Sequence, residues 1–379
     1  MADARDGLVT PRARYIMIGG FLGAGKSTSV GRLAQRLTDQ GLRVGLITND
    51  QAAGLVDTRT LRSRGFAVEE IAGGCFCCRF DSLRSAAEKL DADSRPDVFI
   101  AEPVGSCTDL VATVSYPLRR MYGDRFAIAP LSVLVDPVRA GRILGLREGR
   151  PFSSKVTYVY LKQIEEAQVL VINKRDLVSD TELQALRRAL AERNPNATIF
   201  DVAARHDDGL DPWFDHVTRA ELGTAATPEI DYALYGEGEA LLGWLNATLR
   251  LTSSEEIDGN QWMRDFIRGL KVRLMAADAE VAHLKMTLSP DGGLNDLALV
   301  NLVGHDFVPE LSERLQDPVS SGQLVVNLRA EGAPEDLRAA LEAEVAGRPR
   351  RDVVDLELEH LECFRPAQPE PTHRMTAGG

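Results

Sequence analysis

The sequence predicts an α/β protein: a large domain with a mostly parallel sheet and helices on both faces, then a smaller α+β domain. Three observations carry this. Short β-branched apolar runs recur through the first half, amphipathic stretches separate them, and beyond residue 235 the order of strands and helices changes. At 379 residues the chain exceeds one ordinary core, so about two domains are expected.

Residues 1–13 read as a polar lead-in. The apolar runs follow as YIMI at 15–18, VGLI at 44–47, VFIA at 98–101, LSVLV at 131–135, VLVI at 169–172 and ATIF at 197–200. Near-continuous hydrophobicity over so few residues marks strands buried on both faces. Between them Val30, Leu33, Ala34 and Leu37 share one helical face, as do Leu183, Leu186 and Leu190 behind a capping box at Ser179 and Glu182. Strand and helix alternating in this way imply a parallel sheet over 14–222. A linker is expected over 223–234. The second domain, 235–364, reads as strand (241–251), helix (259–277), strands (283–288, 297–302 and 324–328), helix (335–345) and strand (353–361). That order suits a ferredoxin-like fold with an insertion. The tail, 365–379, has the composition of disorder.

Hydrophobic residues make up 44% of the chain and charged residues 26%, as in soluble globular proteins. A net charge of -12 argues against nucleic acid or an anionic membrane as partner, since both need a basic surface. No segment approaches the roughly 20 apolar residues that span a bilayer. The N-terminus lacks the apolar core of a secretory signal. Five cysteines, three of them within four positions, are no disulfide framework. A cytoplasmic location is expected.

Gly20 to Ser27 (GFLGAGKS) fits G-x-x-x-x-G-K-[ST], directly after a strand and at the start of a helix. Backbone N–H groups of such a loop, Gly23, Ala24, Gly25 and Thr28 among them, point at phosphate oxygens, helped by the helix N-terminus. Lys26 would reach the β- and γ-phosphates and Ser27 would bind Mg²⁺. A nucleoside triphosphate is the expected ligand. Asn173-Lys174-Arg175-Asp176 follows the VLVI run, at the strand edge where open α/β sheets bind ligands. The Asp176 carboxylate can accept from the ring N–H and exocyclic amine of guanine, a donor pair adenine lacks. Asn173 would hold the loop, the Lys174 stem would cover the ring, and Ala203 would reach the base through its backbone.

Glu102, at the end of VFIA, sits where an acid holds or polarises Mg²⁺, and the Gly105 N–H could sense the γ-phosphate. Asp50, after the second strand, faces the same edge, and either acid is a candidate to position water or metal. Asp136 reads as structural. Gly73-Gly74-Cys75-Phe76-Cys77-Cys78 offers three soft sulfur donors suited to Zn²⁺ and other late transition metals. Asp50 is the candidate fourth ligand, with water or a second subunit as alternatives. Cys107 and Cys363 read as isolated thiols. The cluster falls between the phosphate loop and Glu102, where a metal site could respond to the γ-phosphate.

With these residues on view, the sequence resembles the CobW-like family of P-loop GTPases. The matching motifs are GGFLGAGKST, GGCFCC, EPVG and YLKQIEEAQVLVINKRDLV. The resemblance implies a slow GTPase that cycles between GTP and GDP and delivers Zn²⁺ or Co²⁺ to a client metalloprotein or metal-insertion enzyme. It also implies that Cys75, Cys77 and Cys78 are metal ligands or their near neighbours, and that Asp50 replaces a glutamate. A homodimer dependent on nucleotide or metal is left open. The family's N-E-F-G-E stretch is replaced here by Asn49-Asp50-Gln51-Ala52-Ala53, which marks a divergent branch. Two other readings stand beside it: a GTP-dependent assembly switch with a structural metal, and a P-loop small-molecule kinase.

Overall fold

Alternate residues of the first strand feed two different cores. In β1 (Ala13–Gly20), Tyr15 and Met17 join one apolar cluster while Ile16 and Ile18 join another, all at most 2% exposed. The sheet is therefore covered on both faces, as the continuous apolar runs require. The computed structural model describes residues 12–49, 61–62, 65–224, 226–292, 296–347 and 353–376.

The first domain continues as α1 (Lys26–Asp39), β2 (Val44–Asn49), β3 (Ala67–Ile71), α2 (Phe80–Ser94), β4 (Val98–Glu102), α3 (Tyr116–Tyr122), β5 (Phe126–Ile128), β6 (Ser132–Val135), α4 (Pro137–Ile143), α5 (Ser154–Glu166), β7 (Val169–Ile172), α6 (Asp180–Arg193), β8 (Thr198–Asp201) and α7 (Leu210–Arg219). Its strands pair in parallel in the order β3-β2-β4-β1-β6-β7-β8, with β5 also against β1. All six apolar runs fall on strands, with Leu131 and Ala197 just ahead of β6 and β8. Two strands escaped the sequence reading. β3, AVEEI, is an edge strand in which only Val68 and Ile71 are buried, and β5 has only three residues. Helix faces follow the expected periodicity: Val30, Leu33, Ala34 and Leu37 are buried, and the Ser179–Glu182 capping box is formed in both directions.

The second domain comprises α8 (Tyr232–Leu241), β9 (Leu242–Ile257), α9 (Gly259–Ala276), β10 (Glu280–Pro290), β11 (Ala298–Leu302), β12 (Glu310–Glu313), β13 (Val319–Glu331), α10 (Pro334–Gly347) and β14 (Val354–Phe364). The sheet is antiparallel in the order β12-β11-β10-β13-β9-β14. Leaving out the β11–β12 pair, the order is the split βαβ arrangement of ferredoxin-like folds, with that pair as the insertion. One sheet face packs on α9 and α10 through Leu284, Met286, Phe266 and Leu341. The opposite face turns towards the first domain.

Two expectations need correction. Helix α8 begins inside the stretch read as linker and lies so close to α5 that a Cβ at Gly238 would meet the Lys155 carbonyl oxygen at 2.5 Å. The tail was expected to be disordered, yet residues 365–376 lie against the first domain. The amide of Thr372 donates to Cys77 O at 2.9 Å and that of Met375 to Ala112 O at 2.8 Å. Arg374 pairs with Asp109 at 2.8 Å. Composition reports how little apolar surface the tail carries; it is blind to acceptors that a distant loop supplies. Among the described residues no helix is long and apolar enough to cross a membrane.

Candidate functional site

The turn from β1 into α1 takes backbone conformations that favour glycine. Gly20, Gly23 and Gly25 have φ of 126°, 76° and 96°. A Cβ at Gly25 would meet Asn173 Nδ2 at 2.2 Å, so the loop and the base segment touch only because no side chain intervenes. Lys26 is buried and folds its ammonium back on Gly20 O at 3.0 Å. Ser27 Oγ donates to Glu102 Oε1 at 3.0 Å. Two hard oxygen donors from α1 and the end of β4 thus stand side by side, a set that suits Mg²⁺. Thr28 lies on the same wall.

Asn173 ties three loops together. Its Nδ2 donates to Ala24 O at 2.8 Å, and its Oδ1 accepts from Ala204 N at 3.0 Å. Lys174, at φ 57°, sends its ammonium to Gly23 O at 2.7 Å and Asp136 Oδ2 at 2.8 Å. Asp136 caps α4 through the amides of Val138 and Arg139. Burial pushes its carboxyl up, but Lys174 and Arg139 outweigh that and hold it below the usual carboxylate range. Asp176 is exposed at the mouth of the site, and Ala203 lies behind it.

These residues line one cleft of about 790 Å³ that also takes in Gly105. Its far wall is the polar face of the second sheet, with His283, Lys285, Asn327 and Arg329. Burial holds His283 well below the usual imidazole range, and the charges of Lys285, Lys26 and Arg329 add to the effect. Cations from both domains, Lys26 and Lys174 on one side and Lys285 and Arg329 on the other, therefore line the same cleft. The sequence reading missed this wall, because nothing local marks which sheet face meets the phosphate loop. It also missed Arg139, whose buried guanidinium donates to Leu22 O and to Ala282 O and Val303 O of the second domain. Asp306 and Glu310 add ion pairs to Arg142 and Arg205.

The cysteines lie beside this cleft rather than in it. Gly73 and Gly74, at φ 79° and 147°, turn the chain out of β3, and Arg79 clamps the turn by donating to Gly73 O at 3.0 and 3.1 Å. Cys75 and Cys78 then stand 3.2 Å apart, sulfur to sulfur, and Cys77 and Cys78 3.6 Å apart. All three sulfurs lie within 4.8 Å of one another, so three near neighbours do reach one point. Cys75 and Cys77 are buried. Hydrogen bonds from Cys107, Cys77 and Cys78 hold the Cys75 thiol well below the usual range, while its hydrogen bond to Cys75 pushes Cys78 up to about 11. Asp50, expected as ligand and catalytic acid, lies outside the described residues.

Two links join the cluster to the nucleotide edge. Asn49, ending β2, donates to Ile71 O at 3.0 Å and Gly74 O at 2.7 Å. On the other side the segment after β4 passes from Gly105 to Cys107. A Cβ at Gly105 would meet Leu22 N of the phosphate loop at 2.9 Å. Gln163 of α5 donates to both Gly105 O, at 2.9 Å, and Cys107 O, at 2.8 Å. The buried acids Glu239 and Glu166 hold Ser106 and Thr108 of the same segment at 2.6 and 3.1 Å. Burial, then the charge of Asp109, pushes Glu166 up to about 8.

A glycine-rich loop closing on a buried lysine, at the carboxyl edge of a parallel sheet, defines a P-loop nucleotide-binding protein. Residues 14–201 match the CobW/HypB/UreG nucleotide-binding domain, and through this domain the chain belongs to that family. It is 29% identical over 199 residues to the zinc chaperone CobW of a Sinorhizobium species, covering 47% of this chain and 55% of that protein. It is 24% identical over 212 residues to zinc-regulated GTPase metalloprotein activator 1 of Dictyostelium discoideum, covering 48% and 44%. The chain thus spans about half the length of the curated relatives it matches. Among solved structures, Zn(II)-bound YjiA GTPase from E. coli aligns over 88% of this chain and 98% of its own, at 17% identity and TM-score 0.39. HypB from Helicobacter pylori in complex with nickel aligns over 54% and 84%, at 18% identity and TM-score 0.38. Those scores are too low to bear on function.

Proposed function

We propose that this chain binds and hydrolyses GTP and carries a divalent transition metal, Zn²⁺ or Co²⁺, to a client metalloprotein or metal-insertion enzyme. The observation that carries the reading is the placement of three converging thiols next to the phosphate loop, linked through Asn49 and the Gly105–Cys107 segment. Lys26 and the loop amides bind the phosphates, and Asp176 selects guanine. Ser27 and Glu102 would hold Mg²⁺, whose charge offsets that of the triphosphate. The thiols take the metal as cargo, and the nucleotide state sets how tightly they keep it. The relatives named for zinc handling and GTP-dependent activation support the same reading.

One observation favours a second reading, a switch with a permanently held ion: Cys75 and Cys77 are 4% and 0% exposed, beneath the C-terminal tail. Titrating Zn²⁺ and Co²⁺ in parallel with GDP and with a non-hydrolysable GTP analogue separates the two. A carrier shows different affinities in the two states, and Cys77→Ser with Cys78→Ser abolishes binding. Equal affinities would give the held-ion switch precedence.

A further inference from the structure

The far wall of the cleft is built from two rows of polar side chains. Alternate residues of β10, β13 and β9 enter the second domain's own core, Leu284, Leu328 and Leu245 among them. Their neighbours His283, Arg329 and Trp244 therefore belong to the opposite face. The register sets these three opposite one another across the strands, and sets Asn301, Lys285, Asn327 and Asn246 in the next row. Directly opposed residues of an antiparallel pair stand about 5 Å apart. All of them except Asn246 line the cleft, together with Lys26 and Glu102 of the first domain.

Two contacts fix how this wall lies along the first domain. A Cβ at Gly23 of the phosphate loop would meet Ala282 O of β10 at 3.1 Å, and Arg205, just after β8, pairs with Glu310 of β12. The first sheet runs β4-β1-β6-β7-β8, which places Glu102, the phosphate loop, the Asn173–Asp176 segment and Arg205 in that order. The second sheet runs β9-β13-β10-β11-β12 beside it. With β10 at the phosphate loop and β12 at the β8 end, β13 and β9 come to the Glu102 end. The charges of the wall divide the same way. Its lining acids, Glu310 and Glu313, are on β12, and its lining cations, Lys285 and Arg329, are on β10 and β13. Arg329 is fixed in place: its guanidinium lies 3.7 Å from the centre of the Trp244 ring, and Nη1 donates to Asn246 Oδ1 at 2.9 Å and Leu245 O at 3.2 Å.

We propose, resting on the GTP reading above, that Lys285 and Arg329 bind the γ-phosphate of a nucleotide held in the phosphate loop, so that the second domain reads whether GTP or GDP is bound. The γ-phosphate is the part of the nucleotide furthest from the base. The strand order sets the acids of the wall beside the guanine segment and its cations beside the phosphate loop and Glu102. With GTP, the last phosphate is gripped from both sides, by Lys26 of the first domain and by Lys285 and Arg329 of the second. GDP lacks that phosphate, and the two domains lose one of the ties between them. The two cations divide the task. Arg329 offers a planar guanidinium already held by packing, while the half-buried Lys285 carries its ammonium on a flexible stem that can follow the phosphate.

Paired nucleotide affinities test this. The full chain, as wild type, Lys285→Ala, Lys285→Arg and Arg329→Lys, is titrated with GDP and with a non-hydrolysable GTP analogue, both in the presence of Mg²⁺. Lys285→Ala should weaken the analogue about tenfold or more and leave GDP within about twofold of wild type. Lys285→Arg should keep most of the analogue affinity, because the charge stays. Arg329→Lys should show the same selective loss, since a lysine cannot reproduce the stacked, planar set of donors. Circular dichroism checks that each variant folds, and if Arg329→Lys does not, the two Lys285 variants decide. A Lys285→Ala variant that loses GDP and the analogue equally overturns the γ-phosphate assignment, because a group that reads only the last phosphate spares the diphosphate. Affinities unchanged for both nucleotides also overturn it. Either result leaves the GTP reading standing, whereas a wild type that binds neither nucleotide removes both.

Discussion

Lys26, Asn173 and Asp176 do different work although one ligand would touch them all. Lys26 supplies charge from a buried position, held against Gly20 O. Lys26→Ala should slow GTP turnover about a hundredfold or more, read as phosphate release. Unchanged turnover would remove the phosphate-loop assignment. In the proposed function Asp176 would supply two acceptors for guanine donors. Asp176→Asn exchanges one acceptor for a donor, so GTP affinity should fall about 10²-fold, from charged hydrogen bonds at about 1.5–3 kcal/mol each. The same variant should gain affinity for xanthosine triphosphate, whose 2-oxo group accepts from the new amide. A preference for GTP that survives would place the base elsewhere. Asn173 contributes without reading the base, since both ends of its amide are spent on Ala24 O and Ala204 N.

The tail is the element that most changes the picture of the metal site. It crosses the cluster with Glu370 N donating to Cys78 Sγ at 3.2 Å and Thr372 Oγ1 donating to Cys78 O at 3.3 Å. The His373 ring stands edge-on to Phe80, with centroids 5.0 Å apart. Each such hydrogen bond is worth only about 1 kcal/mol, so the strap opens locally more readily than the core. Ending the chain at Arg365 should raise the rate at which a thiol reagent labels Cys78 about tenfold or more, with the fold retained. Equal labelling rates would show that the strap does not limit access. Other elements were legible in advance: β9, α9, β10, β11, β13, α10 and β14 all fall where periodicity and turn residues place them, because each follows from neighbours along the chain.

At the scale of the molecule, the second domain closes the nucleotide cleft, and Arg139 is one strut between the two domains. Its guanidinium bridges Leu22 O to Ala282 O and Val303 O and packs over the rings of Phe21 and Phe152. Arg139→Ala strands those buried carbonyls, at a cost of at least about 3 kcal/mol from several charged hydrogen bonds. Urea unfolding followed by tryptophan fluorescence should then separate into two transitions, since Trp213 reports on the first domain, Trp262 on the second, and Trp244, in β9 but packed in the first domain's apolar cluster, on the contact between them. A single transition at the original midpoint would show that the domains are coupled through other contacts. The cleft also shows how little the overall charge of -12 says about a site: Lys285 and Arg329 line it together with Lys26 inside an acidic protein.

By itself the sequence determined the parallel sheet, the phosphate loop, the guanine segment and the three clustered thiols. Each is a local pattern in which the spacing of apolar residues, glycines and donors sets backbone geometry over a few residues. The neighbours of Cys107, the course of the tail over Cys78, the second wall of the cleft and the contacts of Arg139 were decided only by the tertiary structure. Each depends on two surfaces far apart in the chain meeting, and that is settled by packing summed over whole domains rather than by any residue's neighbours in sequence.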